Sequence, residues 1–132
     1  MTTIINASAA NGLQQSSDGS GVINVQSNGV NTNAQAWINF SSAGAATINA
    51  SYNVSSLTYN AYGDVTINFT RAFTDQYYCA VMGHGRADRM ISGDSSNDTT
   101  YPSWTTTSCR IITRTTGGAT TGNNSECVAF FR

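Results

Sequence analysis

A chain of 132 residues suffices for one domain with a buried core. Charged residues make up only 10% of it, against the usual ~25%, Lys is absent and the formal net charge is −1, so Asn, Thr, Ser and Gly supply the polarity. With only six arginines, the chain lacks the clustered cations of a nucleic-acid surface or a polybasic membrane patch, and no apolar run approaches the ~20 residues that cross a bilayer.

Residues 1–33 are rich in Asn, Ser, Gly and Gln. Asp18-Gly19-Ser20-Gly21 is a turn signal leading into Val22-Ile23-Asn24-Val25-Gln26, a short strand that Ser27-Asn28-Gly29 breaks. Too few large apolar residues are present for a core, so the region reads as an extended N-terminal arm or an outlying strand. Its start, Met1-Thr2-Thr3-Ile4-Ile5, has neither the basic residues nor the apolar core of a signal peptide, so synthesis in a cytosol is expected.

From residue 34 the pattern is that of short strands. In Ala36-Trp37-Ile38-Asn39-Phe40, alternation puts Ala36, Ile38 and Phe40 on one face and Trp37 on the other. Apolar residues on both faces imply cover on both sides, by a second sheet or a neighbouring subunit. Thr47 to Tyr52 is a further strand. Asn53 to Thr70 gives the clearest signal: Val65, Ile67 and Phe69 alternate with Thr66, Asn68 and Thr70, Leu57 and Tyr59 precede them at the same period, and Asn60-Ala61-Tyr62-Gly63-Asp64 links the runs. That is a β-hairpin with one apolar face, which the remaining chain must cover.

Gln76-Tyr77-Tyr78-Cys79-Ala80-Val81-Met82 is nearly continuous in apolar character and reads as a strand buried on both faces. Gly83 to Ser103, with its glycines, aspartates and the single proline Pro102, reads as a long irregular excursion. Trp104–Thr107, Cys109–Arg114 and Glu126–Phe131 read as the last strands, the final two paired about a turn near Thr120. In that register Cys109 and Cys127 stand on the order of 13 Å apart along the ribbon, beyond the ~7 Å Cα separation that a disulfide tolerates. The three cysteines, Cys79, Cys109 and Cys127, are expected to be buried, reduced and unbridged. About eight short strands with no sustained helical period define the fold class: all-β, an antiparallel β-sandwich of jelly-roll or immunoglobulin-like type at residues 34–132, carrying the arm at 1–33.

Gln35-Ala36-Trp37-Ile38-Asn39-Phe40, then Ile48 to Thr58 (I-N-A-S-Y-N-V-S-S-L-T), then Gly63 to Thr70 (G-D-V-T-I-N-F-T), then Asp75-Gln76-Tyr77-Tyr78, together resemble a module of tailed-bacteriophage virion proteins. The family pattern runs Q-A-W-V-N-F-N-G, R-x-S-F-N-V-S-S-I-T, G-D-Y-T-V-N-F, then a D-x-x-Y turn and an aromatic strand. The likeness covers residues 35 to about 82. Asn49, where the family often carries a charge, and the stretch from Gly83 to Ser103 depart from it. The resemblance implies a trimeric β-rich protein of the virion surface: a tail-fibre or head-fibre piece, or a capsid decoration (cement) protein. With no shaft, a compact knob on the particle fits better than a long fibre.

Catalytic and metal chemistry find little footing. His84, the sole histidine, sits between glycines in a turn-like G-H-G-R, and no G-x-S-x-G marks a nucleophile. Asp88, Asp94 and Asp98 lack the spacing and closing Glu of an EF-hand, and Glu126 is the only Glu. Asn-x-Ser/Thr triplets at Asn6, Asn39, Asn49, Asn53, Asn68, Asn97 and Asn123 follow from composition and fall largely inside strands, so glycosylation is not expected.

The expectation is therefore a non-enzymatic structural protein of a phage virion, without cofactor or metal, made in the host cytoplasm. Its partners are two further copies of itself and the major capsid protein or another virion protein, reached through the arm; nucleic acid and membrane are not among them. Trp37, Phe40 and Tyr52 are the candidate trimer interface. In the alternative, a tail-fibre tip recognises host surface glycan through residues 83–105. Arg86, Arg89, Tyr101 and Trp104 are then the candidate recognition residues, with Tyr59 and Tyr62 as further aromatics able to stack on sugar but more readily packed in the core or between subunits.

Overall fold

The computed structural model describes residues 26–27, 30–93 and 104–132. The strand at Val22 to Val25, the attachment role of the arm, Tyr101, and the acidic candidates Asp94 and Asp98 lie outside the described residues. Ten strands occur among the described residues, all antiparallel: β1 (Gln26–Ser27), β2 (Val30–Asn31), β3 (Ala36–Ser41), β4 (Thr47–Tyr52), β5 (Val54–Ala61), β6 (Asp64–Phe69), β7 (Cys79–His84), β8 (Arg89–Gly93), β9 (Ser108–Thr115) and β10 (Glu126–Phe131). β1 and β2 pair in a small two-stranded ribbon. The other eight make two four-stranded sheets, in the orders β4-β3-β10-β7 and β5-β6-β9-β8, packed as a β-sandwich.

The core lies between the sheets and is built from alternate residues. Ala36, Ile38 and Phe40 of β3 and Val128 and Phe130 of β10 face Val65, Ile67 and Phe69 of β6 and Cys109 and Ile111 of β9. At one end an aromatic cluster closes it: Phe69 meets Phe73, Tyr78 and Phe130 edge-on at ring separations of 4.8, 5.8 and 5.0 Å. At the other end Gly63, in the β5–β6 turn, adopts φ 75°, and its N–H and C=O bond Ser42 and Thr113. Only glycine fits there, since a Cβ would stand 2.2 Å from the Thr121 carbonyl oxygen.

The 54–69 hairpin, β3, β4 and β10 stand as the sequence predicts. Four expectations about the strands are corrected. First, β7 is a sheet edge, not a strand buried on both faces: Cys79, Val81 and Gly83 point outward, while Tyr77 and Tyr78 belong to the preceding connection. Second, the predicted excursion after Gly83 contains strand β8, which pairs with β9, so the β7–β8 link is only residues 85–88. Third, Trp104–Thr107 is not a strand; Trp104 makes one bridge to Cys109, and Thr105 closes a turn onto the Ser108 carbonyl. Fourth, β9 and β10 do not pair with each other. β9 lies between β6 and β8, and β10 between β3 and β7, in opposite sheets. The turn at Thr116–Gly118 exists, but it returns the chain only as far as Thr121, whose N–H bonds the Thr113 carbonyl.

The cysteines are unbridged for that reason rather than through strand register. Cys109 is buried between the sheets, where burial pushes its thiol up to about 12. Cys79 and Cys127, expected inside, are exposed on the outer face of the β4-β3-β10-β7 sheet.

Candidate functional site

The two outer faces of the sandwich differ in chemistry. On the β5-β6-β9-β8 sheet, polar side chains satisfy one another. Asn68 donates to the Ser56 and Thr58 hydroxyls at 3.0 Å each, and Asn60 donates to Asp64 and Thr66, also at 3.0 Å. Arg110 grips Asp64 through two bonds, of 2.9 and 2.6 Å. That grip holds the Asp64 carboxyl below the usual carboxylate range, despite partial burial. This face is already well matched to water.

The other outer face is apolar. Cross-strand pairing sets Tyr52, Trp37, Ala129 and Val81 in one row across all four strands. Tyr52 is 44% exposed, Trp37 41% and Val81 58%. The next row carries Asn39, Cys127 and Gly83. The Asn49 side chain donates to the Asn39 side-chain oxygen Oδ1 at 2.8 Å, and the Asn39 side-chain amide donates to the Cys127 sulfur at 3.0 Å. Between Trp37 and Val81 the small residues Ala129, Cys127 and Gly83 floor a groove of about 480 Å³. Glu126 is the one Asp, Glu, Lys or Arg in this sheet's four strands, and it points inward. An uncharged face bearing Trp and Tyr is the composition of an interface core, not of a solvated surface.

Of the candidate interface residues, the structure brings Trp37 and Tyr52 together as direct cross-strand neighbours. It removes Phe40, which alternation turns inward; Phe40 is wholly buried between the sheets of its own chain and has nothing to offer a neighbour. Tyr59 and Tyr62 are exposed at the β5 edge and its turn, not packed in the core. The groove was not legible in the sequence, because it depends on β10 lying between β3 and β7.

The recognition candidates are not brought together. Arg86 is exposed and bonds Asp88 at 3.3 Å. Arg89 is on strand β8, turned inward at 14% side-chain exposure, donating to the Thr121 hydroxyl. Trp104 stacks on Tyr78 at 5.4 Å and an interplanar angle of 10°, and its indole N–H donates to the Arg110 carbonyl at 3.2 Å. Its ring is spent on packing. Tyr78 in turn donates to the Ser108 carbonyl at 3.0 Å, and burial pushes its phenol well up.

Sequence reasoning also missed a buried acid. Glu126 is completely enclosed. One carboxylate oxygen accepts from Ser42 at 2.9 Å and from Thr113 of the opposite sheet, while the other has no hydrogen-bond partner. Burial pushes its carboxyl up, and the two hydroxyls, His84 and Arg89 offset that in part. The cluster ties the two sheets together at the end opposite the aromatic rings. No group of His, Cys, Asp or Glu suited to holding a metal occurs among the described residues.

No protein-family model, no curated protein and no solved structure matches this chain.

Proposed function

We propose that this chain is a non-enzymatic structural protein of a phage virion: a homotrimeric surface knob that decorates or cements the capsid, held to the shell through residues 1–33. The observation that carries the reading is the uncharged outer face of β4-β3-β10-β7, where Trp37, Tyr52 and Val81 stand in water in a single copy. Burying such a row between subunits yields roughly 25 cal/mol per Å² of apolar surface. The sequence likeness over 35–82 supplies the class of protein, and its motif residues build β3 to β6 and the turn before β7. The sole Glu supports a structural role, being sealed between the sheets and bonded to Ser42 and Thr113.

The test is an image reconstruction of the virion together with particle binding by a chain lacking residues 1–30. The reading expects density for three sandwiches on the capsid surface, and loss of particle binding with the trimer intact. Density confined to a tail tip, with glycan binding by the isolated protein, would establish the alternative of a receptor-recognition module instead.

A further inference from the structure

Glu126 and Arg89 belong to opposite sheets and meet in the interior, at the end of the sandwich away from the aromatic rings. Glu126 stands on the inner face of β10, directly opposite Phe40 on one side and His84 on the other. In the facing sheet, Thr113 and Thr115 are two residues apart on β9 and share its inner face. Arg89 of β8 pairs with Thr115. Arg89 is thus the diagonal neighbour of Thr113, whose hydroxyl donates to Glu126 Oε1. A second tie runs through the backbone: Arg89 donates to the Thr121 hydroxyl, and the Thr121 N–H bonds the Thr113 carbonyl. The guanidinium is held near the carboxylate in this way. Burial pushes the Glu126 carboxyl up, and the charge of Arg89 is among the groups that offset it.

Each of the two groups keeps one polar atom away from solvent with no hydrogen-bond partner in the chain: Nε of Arg89 and Oε2 of Glu126. Asp88 Oδ1 lies 3.6 Å from that Nε, outside hydrogen-bond reach. The pair is complementary. One atom can only donate, the other accepts, and leaving either unmet inside a protein is costly. We propose that this end of the sandwich binds one water, which accepts from Arg89 Nε and donates to Glu126 Oε2 and so joins the two sheets. Charge decides the occupant. A cation would be repelled by the guanidinium and would find a single free carboxylate oxygen; an anion would be repelled by the carboxylate. The occupant is therefore neutral, carries donor and acceptor on one atom, and is small enough to be enclosed beside a Glu126 with no solvent exposure. Water meets all three conditions. It adds a third link to the Ser42 and Thr113 hydroxyls already bonded to the same carboxyl.

A high-resolution crystal structure of the full chain and oxygen-17 relaxation dispersion in solution test it. The crystal should show a water within about 2.7–3.2 Å of both Arg89 Nε and Glu126 Oε2. Relaxation dispersion counts waters held inside a folded protein. Arg89→Met removes the donor and keeps the apolar stem, and should lower that count by one. Glu126→Gln keeps both the Arg89 donor and a polar group at the Oε2 position, and should leave the count unchanged. Arg89 or His84 found directly on Oε2, no density at the bridging position, or an unchanged count in folded Arg89→Met overturns the proposal. Should Arg89→Met fail to fold, the wild-type crystal structure decides alone.

Discussion

Glu126 ties the two sheets together and is also a built-in sensitivity to pH. Its folded pKa lies above the ordinary 4.5 because burial outweighs the hydrogen bonds from Thr113 and Ser42 and the charges of His84 and Arg89. Between 4.5 and that raised value the folded chain holds a proton that the unfolded chain has released, so stability falls as pH rises through the window. Asp64, Asp75 and Asp88 act in the opposite sense and elsewhere. Their pKa values are lowered from 3.8, so their contribution is present above 3.8 and lost as pH falls through the lowered values. Urea unfolding measured from pH 3 to 8 should therefore show a maximum, with a descending limb on the alkaline side. Glu126→Gln keeps an acceptor for both hydroxyls and should flatten that limb while leaving the acid limb in place. Glu126→Ala should instead destabilise at every pH, by about 2–4 kcal/mol, because it opens a cavity and takes the acceptor from two buried hydroxyl donors, Ser42 and Thr113.

Among the elements, the β5–β6 hairpin was the most legible, whereas β10 was read at its true bounds but with the wrong partner, for a physical reason. Alternation at Val65, Ile67 and Phe69 and the Gly63 turn are local signals, and all of them survive in the fold. The partner of β10 is not local. The Thr116–Gly118 turn resembles a hairpin turn joining two alternating runs, and it does make one, but the return strand is spent at Thr121. The chain then crosses to the other sheet at Gly122, where a Cβ would stand 2.7 Å from the Ala43 Cα. The groove depended on that crossing, so it too was hidden. β8 was missed because Arg89-Met90-Ile91-Ser92-Gly93 has no clean alternation and is held by pairing with β9. Trp37 could be read as outward-facing from period alone, whereas the bulge in the β3–β4 pairing turns Tyr52 outward with Trp37 and Ile48 inward with Phe40, and Phe40 was assigned to an interface against its own period. The locked β5–β6 turn carries a prediction: Gly63→Ala imposes a left-handed φ on an L side chain and drives a methyl into the Thr121 carbonyl. Thermal unfolding should report a loss of about 2–4 kcal/mol, whereas Gly44→Ala, equally left-handed at φ 68° but with nothing within 4 Å, should cost less.

For the whole molecule, the distribution of charge decides how assembly responds to solvent. Arginines and aspartates lie on the outer face of the β5-β6-β9-β8 sheet, in the β7–β8 link and in the Arg132–Asp75 pair, while the residues between Asp18 and Asp64, including all of β3 to β5, carry none. Contacts built from ion pairs weaken as salt shortens the Debye length from ~10 Å at 0.1 M to ~3 Å at 1 M. Contacts built from the Trp37–Tyr52 row and the groove beside it have no such pairs to screen, and excluded salts such as sulfate strengthen apolar burial. Sedimentation equilibrium should accordingly give a trimer dissociation constant that changes less than about threefold between 0.1 and 1 M NaCl and tightens in sulfate. The proposed attachment to the capsid would be a separate contact through residues 1–33, where Asp18 is the single charged side chain, so it too should resist salt. Steep salt-induced dissociation of the trimer would place its interface on the charged sheet face instead, and would leave the apolar row exposed and without a partner.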